Sequence, residues 1–243
     1  MTPRLDLPTY FSLQDQAAEA SLGASENVRR LITVADDSVA LLGDLLQGMA
    51  FPVPKQTTFR VLGCEVLSGC IVAARIALWG NLAESLACLR PAVEAAVILS
   101  VVADRAEYEA FVHEFTSRRL RRFAYDECKG SLKEEKPGLE RLVGLMSAMG
   151  AHLTGRRLQV QSYSWSGETF DRAGFSLDSE AVVASLFYLP VPLISSVHSV
   201  LLGEAQEGRD PARLSDFDAL QQRYMTLRAT LDDEDPASPK GEA

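Results

Sequence analysis

The chain contains little of what builds the common metal and redox sites. Its 243 residues include only four cysteines and three histidines. The cysteine spacings match neither a zinc-binding pair nor a redox-active Cys-x-x-Cys motif, and there is no glycine-rich phosphate loop of the Walker or dinucleotide-binding type. We therefore expect no metal and no cofactor. The cysteines are predicted to be buried small side chains in a reducing compartment; they are Cys64, Cys70, Cys88 and Cys128.

Positive charge is also scarce. Lysines and arginines number 24 against 33 aspartates and glutamates, which gives a formal net charge of -9. Such a chain repels a nucleic-acid backbone unless its basic residues gather on one face, so RNA is a disfavoured partner. The densest basic cluster places Arg118, Arg121 and Arg122 on one side of a predicted helix. This cluster is either a candidate anion-binding patch or a solvated face balanced by neighbouring acidic residues.

Signals for secretion or membrane insertion are weak. The N-terminal sequence lacks the basic start and apolar run of a secretory signal, so we expect a cytoplasmic protein. Residues 181–202 approach the length of a membrane span and contain no Asp, Glu, Lys or Arg. However, Pro190, Pro192 and the acidic flanks Glu180 and Glu204 are unusual for a membrane helix. We predict a kinked or broken core helix here rather than a membrane span.

Helical periodicity dominates the rest of the sequence. With 47% hydrophobic residues, the chain can bury a full-sized core. We predict an all-α protein with a single helical domain over 11–231. Residues 1–10 are predicted to be extended, and 232–243 to form a disordered acidic tail. Ser25 can cap a helix that runs to about Ala50.

A tight antiparallel helix hairpin lies at the centre of the prediction. Gly80 suits a left-handed cap at the end of one helix, and Asn81 can cap the next, with Glu84 completing a capping box. A two-residue turn forces the flanking helices, about 56–79 and 82–103, to pack antiparallel. The expected fold is therefore a helical bundle built around this hairpin.

Beyond the hairpin, helices are predicted over about 105–130, 138–150 and 213–231. Residues 151–177 break the helical pattern and are predicted to form an irregular or hairpin-like excursion. The aromatic residues of this excursion form either a candidate recognition loop or a loop folded back over the bundle. They include Tyr163, Trp165 and Phe170.

Isolated charges in the two hairpin helices suggest a polar cluster in the core. Because the turn lies between residues 80 and 81, residues at the same level have numbers that add up to about 160. Arg75 then lies level with Glu84, and Glu65 with Glu94, while Arg90 lies one turn before Glu94. Buried charges are costly unless they are paired. The cluster is either a structural network that fixes the helix register or a pocket in which two carboxylates and an arginine bind a ligand.

The hairpin sequence resembles a known group. The run ARIALWGNLAESLACLRPAVEAAVILSVVADRAEYEAFVHEF contains a helix, a tight polar turn, and a helix with the motif Leu-Arg-x-x-x-Glu. The sequence Ala-Asp-Arg-x-Glu then opens the next helix. This pattern, over about residues 60–125, is similar to the HEPN-like group of uncharacterised bacterial proteins. The arginine and glutamate of that group's motif correspond to Arg90 and Glu94.

The resemblance implies an all-α fold and, as in much of the HEPN superfamily, a homodimer. The superfamily includes ribonuclease toxins, defence proteins and nucleotide-related accessory proteins. Its nucleases carry an arginine followed by four to six residues and a histidine, whereas here His113 follows Arg105 by eight positions. We therefore expect a non-catalytic binding or oligomerisation module of bacterial stress or defence type, with a protein or small ligand as a further partner. The alternative is a divergent ribonuclease or nucleotide-processing enzyme that uses the Arg/Glu cluster.

Overall fold

The computed structural model describes residues 7–49, 54–104, 142, 179–204 and 211–234. The elements within these ranges are helices, and none is a strand, which confirms the all-α class. In chain order they are α1 (Leu7–Ala24), α2 (Glu26–Gln47), α3 (Pro54–Leu78), α4 (Leu82–Asp104), α5 (Ser179–Leu186), α6 (Pro190–Glu204) and α7 (Pro211–Glu234). The helices predicted over about 105–130 and 138–150 and the excursion predicted over 151–177 lie outside the described residues, except for the buried Leu142.

The α3–α4 hairpin forms the centre of the bundle. Helix α6 packs against both α4 and α2, and α5 contacts α2, α3 and α4. Helix α7 covers α2, and α1 lies against α3 and α2. Helix α4 is consequently enclosed from several sides, and most of its residues from Leu89 to Ala103 are buried.

Helix α2 begins after Ser25, as predicted. The Ser25 backbone is extended, with φ -132° and ψ 126°, and its hydroxyl accepts a hydrogen bond from the Val28 N–H at 3.4 Å. This bond satisfies one of the amide groups that the first turn of a helix leaves without a partner. The helix then turns one face into the core, and its buried residues are Val28, Leu31, Val34, Ala35, Ser38, Leu42, Leu45 and Leu46.

The turn between α3 and α4 is a Schellman motif closed by Gly80. Gly80 has a φ of 76°, in the left-handed region that favours glycine. Its N–H donates to the Ala77 carbonyl at 2.8 Å, and the Asn81 N–H donates to the Ile76 carbonyl at 3.2 Å. The Asn81 carbonyl in turn accepts from the Ser85 N–H at 3.0 Å, so Asn81 occupies the N-cap position of α4. The predicted tight turn at Gly80 and Asn81 is confirmed, and with Trp79 it forms a link of three residues between the two helices.

Two contacts show that the predicted register of the hairpin is correct. The Ser85 hydroxyl donates to the Ala73 carbonyl at 2.8 Å. Further from the turn, a Cβ atom added at Gly69 would lie 2.8 Å from the Ala92 Cβ, so the two backbones approach closely. In both pairs the residue numbers add up to about 160, as a turn between residues 80 and 81 requires.

The apolar stretch 181–202 is a broken core helix, as predicted. It divides into α5 and α6 around a turn in which the Leu189 N–H donates to the Leu186 carbonyl at 3.0 Å. Pro190 is the first residue of α6, a position where the missing N–H costs no helical hydrogen bond. Residues Val182, Leu186, Leu193, Val197 and Val200 are fully buried.

Both ends of the predicted domain need correction. Residues 7–10, expected to be extended, belong to α1, because Pro8 falls in the first helical turn where proline is tolerated. Residues 232–234, assigned to the tail, are the last residues of α7. The rest of the tail lies outside the described ranges.

Two helices of the hairpin are long and apolar enough to cross a membrane. They are Gln56–Leu78 within α3 and Glu84–Ala103 within α4. A buried core helix satisfies the same criteria, and 67% of the α4 window is buried inside the bundle. The α3 window is only 33% buried, which leaves much of this apolar helix uncovered.

Candidate functional sites

Arg90 and Glu94 form the ion pair expected one helical turn apart on α4. The Arg90 Nε donates to the Glu94 Oε1 at 2.9 Å, and the two side chains are only 24% and 19% exposed. A charge-assisted hydrogen bond of this length in a partly buried position fixes both side chains. The pair lies at the surface of the hairpin, near the middle of α4. The helix continues through Pro91, the residue after Arg90, without a break.

Arg75 does not join this pair in the core, so the prediction of a buried Arg75 is wrong. Its side chain is 68% exposed, and its guanidinium lies 3.6 Å from the Asp15 carboxylate of α1. It also lies 5.3 Å from the centre of the Trp79 ring. Asp15 is itself 65% exposed, so this ion pair contributes little to stability.

Glu65 also faces solvent, so its predicted burial beside Glu94 is wrong. Glu84 is half-buried in the first turn of α4, where a negative charge is favourable. Burial, and then the nearby Glu84 carboxylate, raise the pKa of the Cys88 thiol. The five predicted residues thus do not form one buried pocket, because Glu65 and Arg75 lie on the outer side of α3.

The exposed side of α3 is a surface that hydrophobic periodicity did not predict. Eight exposed residues recur along it at spacings of three and four residues, which places them within one helical stripe. We call this stripe the α3 face; it consists of Arg60, Val61, Cys64, Glu65, Ser68, Ile71, Val72 and Arg75. Its spacing is visible in the sequence. The sequence does not show which side of α3 faces solvent, because the opposite side of the helix is apolar as well.

The cysteines divide between core and surface. Cys70 is buried, as predicted, and burial raises the pKa of its thiol far above the ordinary value. Cys88 is half-buried. Cys64 is exposed on the α3 face, so the prediction of burial is wrong for this residue. Cys128 lies outside the described residues.

The remaining candidate residues belong to parts of the chain that the structure does not describe. The anion-binding patch and the recognition loop therefore stay predictions; their residues are Arg118, Arg121, Arg122, Tyr163, Trp165 and Phe170. Within the described ranges, no three His, Cys, Asp or Glu side chains come together as metal ligands. The exposed His198 stacks on Phe217, with ring centres 5.5 Å apart.

A comparison of the chain with protein-family models, curated proteins and solved structures gives no match. The similarity to the HEPN-like group therefore stays a prediction that depends on the hairpin and on Arg90 and Glu94. What the chain does has to be inferred from its own surfaces.

Proposed function

We propose that this protein is a non-catalytic helical module that associates with a second copy of itself through the α3 face. The HEPN-like resemblance adds the expectation of a bacterial stress or defence context. The observation that carries the proposal is the exposure of three large apolar side chains on this face. Val61 is 62% exposed, Ile71 53% and Val72 46%.

The exposure is unusual for a helix of this composition. Helix α3 is apolar on the side that packs against α4 and also on the α3 face. A helix that is apolar all round is normally enclosed on all sides. Exposed apolar residues flanked by charged ones are typical of an interaction surface.

Charge complementarity favours a second copy as the partner. The α3 face carries one negative residue, Glu65, and two positive ones, Arg60 and Arg75. Glu65 and Arg75 are ten positions apart and so about 15 Å apart along the axis. In an antiparallel pair of α3 helices with a two-fold axis near residue 70, each Glu65 lies opposite the partner's Arg75. Because of the two-fold symmetry, the interface contains two copies of this ion pair. Ser68, Ile71 and Val72 then lie close to the axis.

The same charges argue against a lipid partner. Arg60, Glu65 and Arg75 are exposed on the α3 face itself. Charged side chains facing the hydrocarbon of a bilayer are costly. A protein surface can pair Glu65 and Arg75 instead, because an antiparallel copy presents the opposite charge to each of them.

Sedimentation equilibrium tests the proposal. Wild type is expected to dimerise, and Ile71→Asp is expected to raise the dimer Kd by at least about tenfold, because it places a charge in an apolar contact. Met225→Asp is the matched control, since Met225 is 51% exposed on α7 and lies outside the α3 face. A monomeric wild type, or equal effects of both variants, would overturn the proposal. If wild type binds lipid vesicles and does not dimerise, a membrane function would replace this proposal.

A charge exchange tests the ion pairs. Glu65→Arg and Arg75→Glu should each weaken the dimer, because each places like charges opposite one another. The double variant Glu65→Arg with Arg75→Glu should restore it. Absence of this rescue would contradict the antiparallel arrangement.

Cysteine crosslinking provides an independent measure of orientation. In a Cys64→Ser background, thiols introduced by Ser68→Cys lie about 6 Å apart along the axis of the antiparallel pair, and those introduced by Val61→Cys about 27 Å apart. A short bis-maleimide should therefore link the first variant and not the second. A parallel pair would place both at equal levels and link both.

A further inference from the structure

We infer that the cleft between α2 and α7 binds a small hydroxylated phosphate ester, such as a sugar phosphate. The cleft has a volume of about 430 Å³, which is within the range of small-molecule sites. It is independent of the α3 face. We call it the α2–α7 cleft; its lining residues on the two helices are Glu26, Arg29, Arg30, Thr33, Val34, Gln222, Arg223, Thr226 and Leu227.

Three guanidinium groups line this cleft, and two are already held in place. Arg29 donates to the Glu26 carboxylate at 2.6 Å and to the Leu22 carbonyl at 3.2 Å. Arg223 donates from one Nη to Asp37 at 2.7 Å. Carboxylates thus fix both arginines, and Arg223 keeps further N–H groups for a ligand.

Arg30 is the arginine that an anion would engage. It is half-buried at the cleft and forms no ion pair within the part of the chain that the structure describes. With Glu26 and Asp37 offsetting two of the three arginines, the cleft keeps one positive charge in a chain of net charge -9. Guanidinium groups match the geometry of phosphate oxygens and bind them with charge-assisted hydrogen bonds.

The two threonines indicate what the rest of the ligand carries. The Thr33 hydroxyl donates to the Arg29 carbonyl at 2.9 Å, and the Thr226 hydroxyl donates to the Gln222 carbonyl at 2.9 Å. Because both hydroxyl protons are engaged, these oxygens can only accept hydrogen bonds from a ligand. A ligand with several hydroxyl groups can donate to both oxygens while its phosphate accepts from the arginines.

The floor of the cleft is apolar. Val34 and Leu227 are buried, at 5% and 2% exposure, and belong to the α2 and α7 core. They can contact the carbon skeleton of a ligand while the arginines hold its anionic end. The combination of guanidinium, hydroxyl oxygen and apolar floor favours an organic phosphate over a bare anion.

Isothermal titration calorimetry with the full chain tests this site. The probes are ribose 5-phosphate, AMP, inorganic phosphate and uncharged ribose. We expect ribose 5-phosphate to bind more tightly than inorganic phosphate, and ribose not to bind. The AMP arm distinguishes a sugar phosphate from a nucleotide as the preferred ligand.

Variants connect the binding to named groups. Arg30→Gln should weaken ribose 5-phosphate binding by about tenfold or more, the effect of losing a charge-assisted hydrogen bond. Thr33→Val should weaken ribose 5-phosphate and leave inorganic phosphate unaffected. Arg213→Gln removes the same charge from a half-buried arginine of α7 that does not line the cleft, and it should have no effect. Thermal unfolding without ligand verifies that each variant is folded. If Arg30→Gln does not fold, Arg30→Lys provides a second variant at the same position.

Three results would overturn the inference. They are no binding of any phosphate probe at millimolar concentration, equal weakening by Arg30→Gln and Arg213→Gln, and equal affinity for inorganic phosphate and ribose 5-phosphate. Because dimerisation is measured by sedimentation, failure of this inference leaves the proposal for the α3 face intact, and the converse also holds.

Discussion

Gly69 of α3 lies directly against Ala92 of α4. A Cβ atom at position 69 would be 2.8 Å from the Ala92 Cβ and 3.5 Å from the Cys88 carbonyl oxygen. The Ala92 methyl is attached to the backbone and cannot rotate away, so the two helices could only accommodate it by moving apart. The hairpin is therefore held at close range by the absence of a side chain.

Gly69→Ala should lower the free energy of unfolding by about 1–2 kcal/mol, because overpacking outweighs the gain in helix propensity. Gly43→Ala on α2 is the matched control, since a Cβ there meets nothing within 4 Å. This control should raise the free energy of unfolding by about 0.5–1 kcal/mol. Urea unfolding at equal m-values provides the measurement. Equal gains for both variants would show that α3 and α4 are further apart than described.

The Arg90–Glu94 ion pair should have a measurable coupling energy. In a double-mutant cycle of Arg90→Met and Glu94→Gln, we expect about 1 kcal/mol of interaction, at the upper end for ion pairs because both side chains are partly buried. Arg90→Met alone should cost more than the coupling energy, because it also leaves the partly buried Glu94 carboxylate without its partner. Urea unfolding of the four proteins measures both quantities. A coupling energy of zero would contradict the geometry.

The same variants test the alternative function. If Arg90 and Glu94 only stabilise the hairpin, neither wild type nor Arg90→Met should cleave total RNA. Gel electrophoresis after incubation with RNA detects cleavage, and a sample treated with a known ribonuclease provides the positive control. If wild type cleaves RNA and a folded Arg90→Met variant does not, the ribonuclease hypothesis would be established instead.

Stability should decrease at alkaline pH because of the buried thiols. Burial raises the pKa of Cys70, and burial and then the Glu84 carboxylate raise that of Cys88, so the folded protein keeps protons that the unfolded chain loses. A thiol whose pKa is higher in the folded state contributes its full stabilisation below the unfolded pKa of about 8.5. This stabilisation is lost as the pH rises above that value. A thiol that ionises only on unfolding, as expected for the deeply buried Cys70, contributes a slope of about 1.4 kcal/mol per pH unit.

Urea unfolding between pH 7.5 and 10 measures this slope. Cys70→Ala should show a shallower decrease than wild type, since it removes the more deeply buried thiol. Cys64→Ala is the control, because Cys64 is exposed to solvent. Parallel curves for wild type and Cys70→Ala would contradict the burial of Cys70.

Local signals predicted much of the fold correctly. The Ser25 cap, the Gly80 turn and the break at Pro190 each depend on a residue whose backbone preference acts over a few positions. The start of α1 was harder to predict, because Pro8 is tolerated both in an extended segment and in the first turn of a helix.

The candidate site was only partly predictable. Arg90 and Glu94 are one turn apart on a single helix, so their pairing follows from local geometry alone. The α2–α7 cleft joins residues nearly two hundred positions apart in the chain, and no local pattern relates Arg30 to Arg223.

The sequence by itself determined the levels of the hairpin, because a tight turn at Gly80 and Asn81 allows only one antiparallel alignment of α3 and α4. Ser85 therefore reaches Ala73, and Gly69 meets Ala92. Only the tertiary structure decided which face of α3 is buried. Since both sides of this helix are apolar, hydrophobic periodicity could not choose between them. Packing against α4 placed Gly69 inside and left Glu65 and Arg75 outside, on the surface that we propose binds a second copy.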